Sequence, residues 1–183
     1  PGGDISHFDI DAINKVYIAD KTTITLDNPQ ITLIGGDAIT AECNQEFIDP
    51  SATATDDVDG DLTNYIEIGG DLVDTDTPGE YHIPYNVTDL AGLKATTRIR
   101  TVTVQDTTPP ELFFEDPTLV IVSLNEPYTD HGATATDDCD GDRTENIITE
   151  GLPIDTATPG EYTVTYTVAD NAGNAATLMQ RTV

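Results

Sequence analysis

The sequence predicts an all-β chain of two tandem β-sandwich domains. Three observations carry this: a long internal repeat, a period-two alternation of apolar and polar residues within each repeat, and closely spaced turn signals with no helical period.

The repeat sets the organisation. Shifting the chain by 81 residues lays Asp49–Val102 on Asp130–Val183 without a gap, and thirty of the fifty-four positions are identical. Ala52-Thr53-Ala54-Thr55-Asp56-Asp57 matches Ala133-Thr134-Ala135-Thr136-Asp137-Asp138, and Asp59-Gly60-Asp61 matches Asp140-Gly141-Asp142. Thr77-Pro78-Gly79-Glu80-Tyr81 matches Thr158-Pro159-Gly160-Glu161-Tyr162. Pro29 falls on Pro110 and Ile31 on Leu112, so each repeat begins somewhat earlier, near Asp27 and Thr108.

Within a repeat, Tyr81, Ile83, Tyr85 and Val87 alternate with His82, Pro84, Asn86 and Thr88. Tyr162, Val164, Tyr166 and Val168 alternate in the same way. Successive side chains of a strand point to opposite faces, so these are half-buried antiparallel strands with the tyrosines in or at the edge of the core. A sugar-stacking role for the tyrosines is the alternative. The Ala-Thr-Ala-Thr segments read as a second strand with small residues inward, and Leu119-Val120-Ile121-Val122 as a further one. Asp-Gly, Thr-Pro-Gly, Leu-Ala-Gly and Asn-Ala-Gly-Asn turns separate them.

These limits predict residues 27–105 as the first domain and 106–183 as the second. The junction, Val102 to Pro110, is short and carries Pro109-Pro110, which predicts limited swing. Residues 1–26 fall outside the repeat. There Val16–Ala19 and Thr23–Leu26 read as strands, either the end of a preceding domain or an extra pair. The start at Pro1-Gly2-Gly3 rather than Met predicts a piece of a longer protein whose targeting segment lies elsewhere.

Charge narrows the partners. Seven Lys plus Arg stand against 34 Asp plus Glu, a formal net charge of −27, and such a surface repels nucleic acid and anionic lipid. No apolar run reaches the length of a membrane-spanning helix, so no membrane insertion is expected. With no Trp, seven Tyr and four Phe, the chain has aromatics enough for thin sandwich cores but no obvious row for stacking sugars.

At the Ala-Thr-Ala-Thr-Asp-Asp strand, the Asp-Gly-Asp loop, the Thr-Pro-Gly-Glu-Tyr turn and the Asp-x-Ala-Gly turn, the sequence resembles the bacterial immunoglobulin-like repeat of the pesticidal-crystal-toxin type, related in pattern to hyalin repeats. The resemblance covers about residues 27–183 and occurs twice in register. It implies immunoglobulin-like sandwiches in an extracellular, secreted or cell-surface protein. Such repeats serve as spacers, adhesive stalks or accessory modules beside catalytic domains, and the family brings no catalytic residues. Its relatives often carry two cysteines within one repeat. Here each repeat holds half of that pair: Cys43 with Val58 in the first, Cys139 with Leu124 in the second. Equivalent places in stacked domains lie about a domain length apart, beyond the roughly 7 Å Cα limit for a disulfide. The expectation is two free thiols, with an intermolecular bridge as the alternative.

The acidic loops are the chemically suggestive feature. Asp56, Asp57, Asp59 and Asp61 fall within six residues, and Asp137, Asp138, Asp140 and Asp142 do the same. Hard oxygen ligands at this density suit Ca²⁺. The loop is not an EF-hand, because its Gly and acidic positions do not match that frame. In a two-sheet trace the second strand and the last hairpin reach one pole. That brings Asp89 toward the first loop, and Asp170, Asn171 and the linker residue Asp106 toward the second. The arrangement resembles, by analogy only, the interdomain calcium sites of cadherins. The competing reading is that Asp and Gly serve the turns and solubility.

No catalytic constellation is legible. His7, His82 and His131 are not repeated, and no phosphate loop or nucleophile elbow appears. Carboxylates in solvated loops lack anything to separate their pKa values, as acid–base catalysis requires. Asn86-Val87-Thr88 fits a glycosylation sequon, a short pattern that often arises by chance. The sequence therefore points to a non-catalytic spacer or adhesive stalk, stiffened by calcium if the acidic loops bind it. The alternative is a carbohydrate-binding accessory module of a secreted hydrolase. Its expected partners are neighbouring domains of the parent protein and a cell-surface protein or glycan.

Overall fold

The alternating segments become antiparallel strands in the computed structural model, which describes residues 27–183 and the backbone of three short strands before them. Those three, β1 (Asp9–Asp11), β2 (Lys15–Tyr17) and β3 (Thr23–Thr25), pair in order as an antiparallel meander. The expected strands at 16–19 and 23–26 coincide with β2 and β3 in part, and Ile18, Ala19 and Leu26 lie outside the described residues. Contacts divide the chain into two compact units. The first comprises Pro1–Ala41, Phe47–Asp74 and Gly79–Val104, and the second Glu42–Glu46, Thr75–Pro78 and Gln105–Val183.

In the first unit, β4 (Gln30–Leu33), β6 (Ala52–Asp56) and β7 (Gly60–Asp61) form one sheet. The other has the order β5 (Ala38–Glu42), β10 (Arg98–Gln105), β9 (Gly79–Asn86), β8 (Glu67–Ile68). The register Ile31↔Ala54 and Leu33↔Ala52 places both apolar pairs on the inner face. There they meet Ile83, Tyr85 and Val102 from the second sheet, together with Val87 and Leu62. Ala52 and Ala54 are almost fully buried, and so is Tyr85, while His82 points outward. Each of the larger buried aliphatic side chains contributes about 1.5–3 kcal/mol by leaving water.

The second unit repeats this plan. One sheet contains β11 (Glu111–Phe113), β12 (Thr134–Asp137) and β13 (Gly141–Asp142), and the other β14 (Ile148–Glu150), β15 (Thr163–Thr167) and β16 (Met179–Thr182). Ala135, Val164, Tyr166 and Val168 are buried inward. Among the described residues both units are thus all-β, with only a one-turn 3-10 segment after the acidic loop, at Thr63–Tyr65 and Thr144–Asn146.

Each core is closed by a buried charge that the hydropathy pattern does not show. Arg100 and Arg181 are buried to within about 1% of full burial, although they lie on strands of a very acidic chain. Arg181 Nη1 donates to Asp130 Oδ1 at 2.5 Å, and Nη2 donates to the Gly132 carbonyl at 3.1 Å. The same Asp130 oxygen accepts from the hydroxyls of Tyr166 at 2.5 Å and Tyr128 at 2.9 Å. The guanidinium also lies over the Phe114 ring, 4.8 Å from its centroid. In the first unit Arg100 bonds Asp49 and the Tyr85 hydroxyl, and its other amino group donates to the carbonyls of Ile34 and Ser51. Burial pushes the Asp130 carboxyl up, but the hydrogen bonds from Tyr166 and Tyr128 and the charge of Arg181 outweigh it and hold it below the usual carboxylate range. A buried charge is tolerated only when paired and hydrogen-bonded in this way.

Two expectations are corrected. Cys43 and Cys139 are joined in a disulfide, with Cα atoms 5.6 Å apart. The expectation treated Cys43 as a fixture of the first sandwich. Instead Glu42–Glu46 belongs to the second unit, where the Cys43 amide donates to the Gln105 carbonyl at 2.8 Å. The run Leu119–Val122 does not form a strand of its own. It makes one parallel bridge, Leu119 to Thr182, and Ile121 is 88% exposed. Its counterpart in the first repeat is β5, but β16 is only four residues long and offers little edge for a partner.

Candidate metal centres

An Asp at the end of a strand can bond the amides of the turn that follows and so close it. Asp137, the last residue of β12, does this: its Oδ1 accepts from the amides of Cys139 and Asp140, both at 2.8 Å. Its other oxygen, Oδ2, is buried and has no hydrogen-bond partner. The residue as a whole is 7% exposed. A buried carboxylate oxygen left unsatisfied costs at least about 1–3 kcal/mol.

Two more carboxylates converge on it. Asp170, 6% exposed, begins the hairpin turn after β15. Its Oδ1 accepts from the amides of Gly173 at 2.6 Å and Asn174 at 2.7 Å. Its Oδ2 accepts from the Asn174 side chain at 2.7 Å. Burial raises its pKa, but the side-chain and backbone bonds from Asn174 and its turn bring it below the usual value. Asp106 follows β10, and its Oδ1 accepts the Thr108 amide at 3.2 Å. Its carboxyl is pushed up, first by burial and then by the charges of Asp137, Asp170 and Asp140, against the lowering bond from Thr108. One carboxylate oxygen from each of Asp106, Asp137 and Asp170 lies within 4.8 Å of the others. Two ligands of one Ca²⁺ at 2.3–2.6 Å are at most about 5 Å apart, so this spacing fits a single ion.

The three ligand segments are tied together within the second unit. The disulfide links Cys139, whose amide bonds Asp137, to Cys43, whose amide bonds the Gln105 carbonyl next to Asp106. Asn174 Nδ2 donates to the Asp106 carbonyl at 3.1 Å. Asp140 lies close to Asp106 and Cys139, but its oxygens take the Asn171 amide at 2.6 Å and the Asn171 side chain at 2.8 Å, with Arg143 Nη1 3.8 Å away. Asp138 and Asp142 are exposed and stand outside the cluster. The Asp138 carbonyl accepts from the Asn44 side chain, and Asp142 Oδ1 accepts the Thr144 amide at 2.9 Å.

The first unit has a smaller counterpart. Oxygens of Asp56, Asp59 and Asp89 lie within 4.8 Å of one another. Asp56 Oδ1 closes its turn on the amides of Val58 and Asp59, and its Oδ2 is buried without a partner. Asp89 Oδ1 accepts the Leu93 amide at 2.7 Å, and Asp59 Oδ2 the Leu90 amide at 2.9 Å. Asp57 and Asp61 are exposed, the latter bonded to the Thr63 amide at 2.9 Å. Leu93 stands where the second repeat has Asn174.

His82 is exposed, and exposed His131 pairs with Asp116 at 2.5 Å. His7 lies outside the described residues.

The chain is similar to known proteins along nearly all of its length. It is 29% identical over 187 residues to the pesticidal crystal protein Cry22Aa of Bacillus thuringiensis, an alignment covering 92% of this chain. The chain spans about a quarter of that relative's length, 26%. Among solved structures, the lipoprotein BT2262 from Bacteroides thetaiotaomicron matches at 18% identity and a TM-score of 0.38, over 84% of this chain and 99% of that one. The M60 catalytic domain with the CBM51-1 and CBM51-2 domains from Clostridium perfringens ZmpB matches at 13% identity and a TM-score of 0.47, over 92% of this chain and 32% of that one. The family model described as bacterial surface protein, Ig-like domain, matches residues 31–104 and again 114–183, and the chain belongs to that family.

Proposed function

We propose that the chain is a non-catalytic spacer or adhesive stalk within a larger protein that is secreted or displayed on a bacterial surface, with its two domains at 27–105 and 106–183. One observation carries the reading: in both units the strongest polar chemistry is spent on holding the fold. The Arg–Asp–Tyr anchors are buried in the cores, and the loop carboxylates close turns through backbone amides. Among the described residues no serine or threonine hydroxyl bonds a histidine, His131 pairing with Asp116, and the thiols are joined in a disulfide. The disulfide also supports an oxidising, extracellular setting, and the family's description supports a surface location. The neighbouring domains of the parent are its immediate partners, with a cell-surface protein as the target of adhesion.

The carbohydrate-binding alternative has less support. Among the described residues the exposed aromatic rings are Tyr65 and Phe113, one in each unit, so neither unit presents a row for stacking a sugar chain. The test is retention on a panel of insoluble polysaccharides, run beside chromogenic ester, peptide and glycoside substrates. The proposal expects neither retention nor turnover. Retention would replace it with the carbohydrate-binding reading, and turnover abolished by substituting a residue of this chain would overturn its non-catalytic part.

A further inference from the structure

We infer that the second unit binds one Ca²⁺ through Asp106, Asp137 and Asp170. The deciding observation is Asp137: its carboxylate is more than nine-tenths buried, its Oδ2 has no hydrogen-bond partner, and one of its oxygens lies within 4.8 Å of an oxygen of Asp106 and of Asp170. Arg143 does not serve it: Arg143 donates to Asn171 at 2.8 Å and to the Ala169 carbonyl at 3.0 Å, and among the described residues its ion pair is with Asp140. A bound cation supplies the missing partner and offsets the repulsion among the three carboxylates.

The donor set selects the ion. All three ligands are hard oxygens, which suit Ca²⁺. Cys139 Sγ is near Asp106 and Asp140, but it is held in the disulfide and offers no thiolate for Zn²⁺. Mg²⁺ demands near-octahedral geometry at shorter distances and sheds its water reluctantly, so it is the poorer occupant. Asp140 and Asn171 buttress the loop from outside, and the disulfide and Asn174 hold the three ligand segments together before the ion arrives.

The experiment is a calorimetric titration of the oxidised chain with CaCl₂, paired with thermal melts in EDTA, in millimolar CaCl₂ and in NaCl of equal ionic strength. The site predicts a dissociation constant of roughly 0.1–1 mM, the range of extracellular calcium modules. At a concentration about ten times that constant, the melting temperature rises by roughly 5–10 °C over the NaCl control. Asp106→Asn weakens binding at least tenfold, and Asp106→Asn with Asp137→Asn removes it. Asp56→Asn with Asp89→Asn leaves the second unit's binding in place. Asp106 is the most exposed ligand, so Asp106→Asn keeps the test decisive even where the double variant fails to fold. Equal melting temperatures in calcium and sodium would overturn the inference. So would a calcium response untouched by Asp106→Asn but lost in the first-unit variant.

Discussion

Replacing Asp130 by Ala removes the acceptor at the centre of the second unit's buried anchor. Asp130 takes hydrogen bonds from Arg181, Tyr166 and Tyr128, and its side chain is 9% exposed against 2% for Arg181. After the substitution, Arg181 keeps the Gly132 carbonyl and the Tyr166 hydroxyl, but its charge stands uncompensated. Breaking a buried pair from one side costs about 3–5 kcal/mol. A domain of this size is stable by about 4–12 kcal/mol in total, so the substitution removes about a quarter of its stability or more. The assay is urea denaturation followed by far-ultraviolet circular dichroism and tyrosine fluorescence, with Asp49→Ala as the matching change in the first unit. A companion variant, Asp130→Leu with Arg181→Met, removes both charges and recovers much of the loss, because no unpaired ion remains. A loss below about 1 kcal/mol for Asp130→Ala would refute the anchor, as would a companion variant less stable than the single one.

Other outcomes follow from the same structure. Reducing the Cys43–Cys139 bond, or replacing both residues by Ser, opens a loop with a sequence separation of 96 and lowers stability by about 2–5 kcal/mol; a non-reduced peptide map contains the linked pair. Because the folded-state pKa of Asp130 is depressed, its contribution is present above the ordinary carboxylate pKa and is lost as pH falls through the lower folded value, so melts between pH 2 and 6 in EDTA show stability dropping below about pH 4. Gly151→Ala destabilises the second unit by about 1–3 kcal/mol in chemical denaturation, because φ there is +93° and an added Cβ would lie 2.2 Å from the Thr163 carbonyl oxygen.

The inward tyrosines and the alanines of β6 and β12 were legible because alternation reports burial directly. Arg100 and Arg181 were not. An arginine scores as polar wherever it stands, and its burial depends on an Asp 51 residues earlier in the chain. The signal was nonetheless present: Arg100, Asp49 and Tyr85 are all retained under the 81-residue shift, in a chain with only seven basic residues. The disulfide was missed for a related reason. The repeat implies equivalent places for equivalent residues, whereas Glu42–Glu46 clusters with the second unit. Leu119–Val122 misled in the opposite sense, since apolar composition alone does not create a pairing partner. For the acidic loops, the density of Asp was visible but not the division of labour. Asp137 and Asp170 turn inward, Asp138 and Asp142 face solvent, and Asp140 is taken up by Asn171.

The proposed role as a spacer is tested most directly by stretching the single chain between handles at its two ends. A folded stalk resists and then yields in discrete unfolding events, and under oxidising conditions the residues between Cys43 and Cys139 stay locked. Adding reductant releases a further contour length of about 320–350 Å, from 96 residue steps at about 3.3–3.6 Å each. Extension without discrete events at low force, in the oxidised chain, would contradict the account of two anchored sandwiches built to span distance under load.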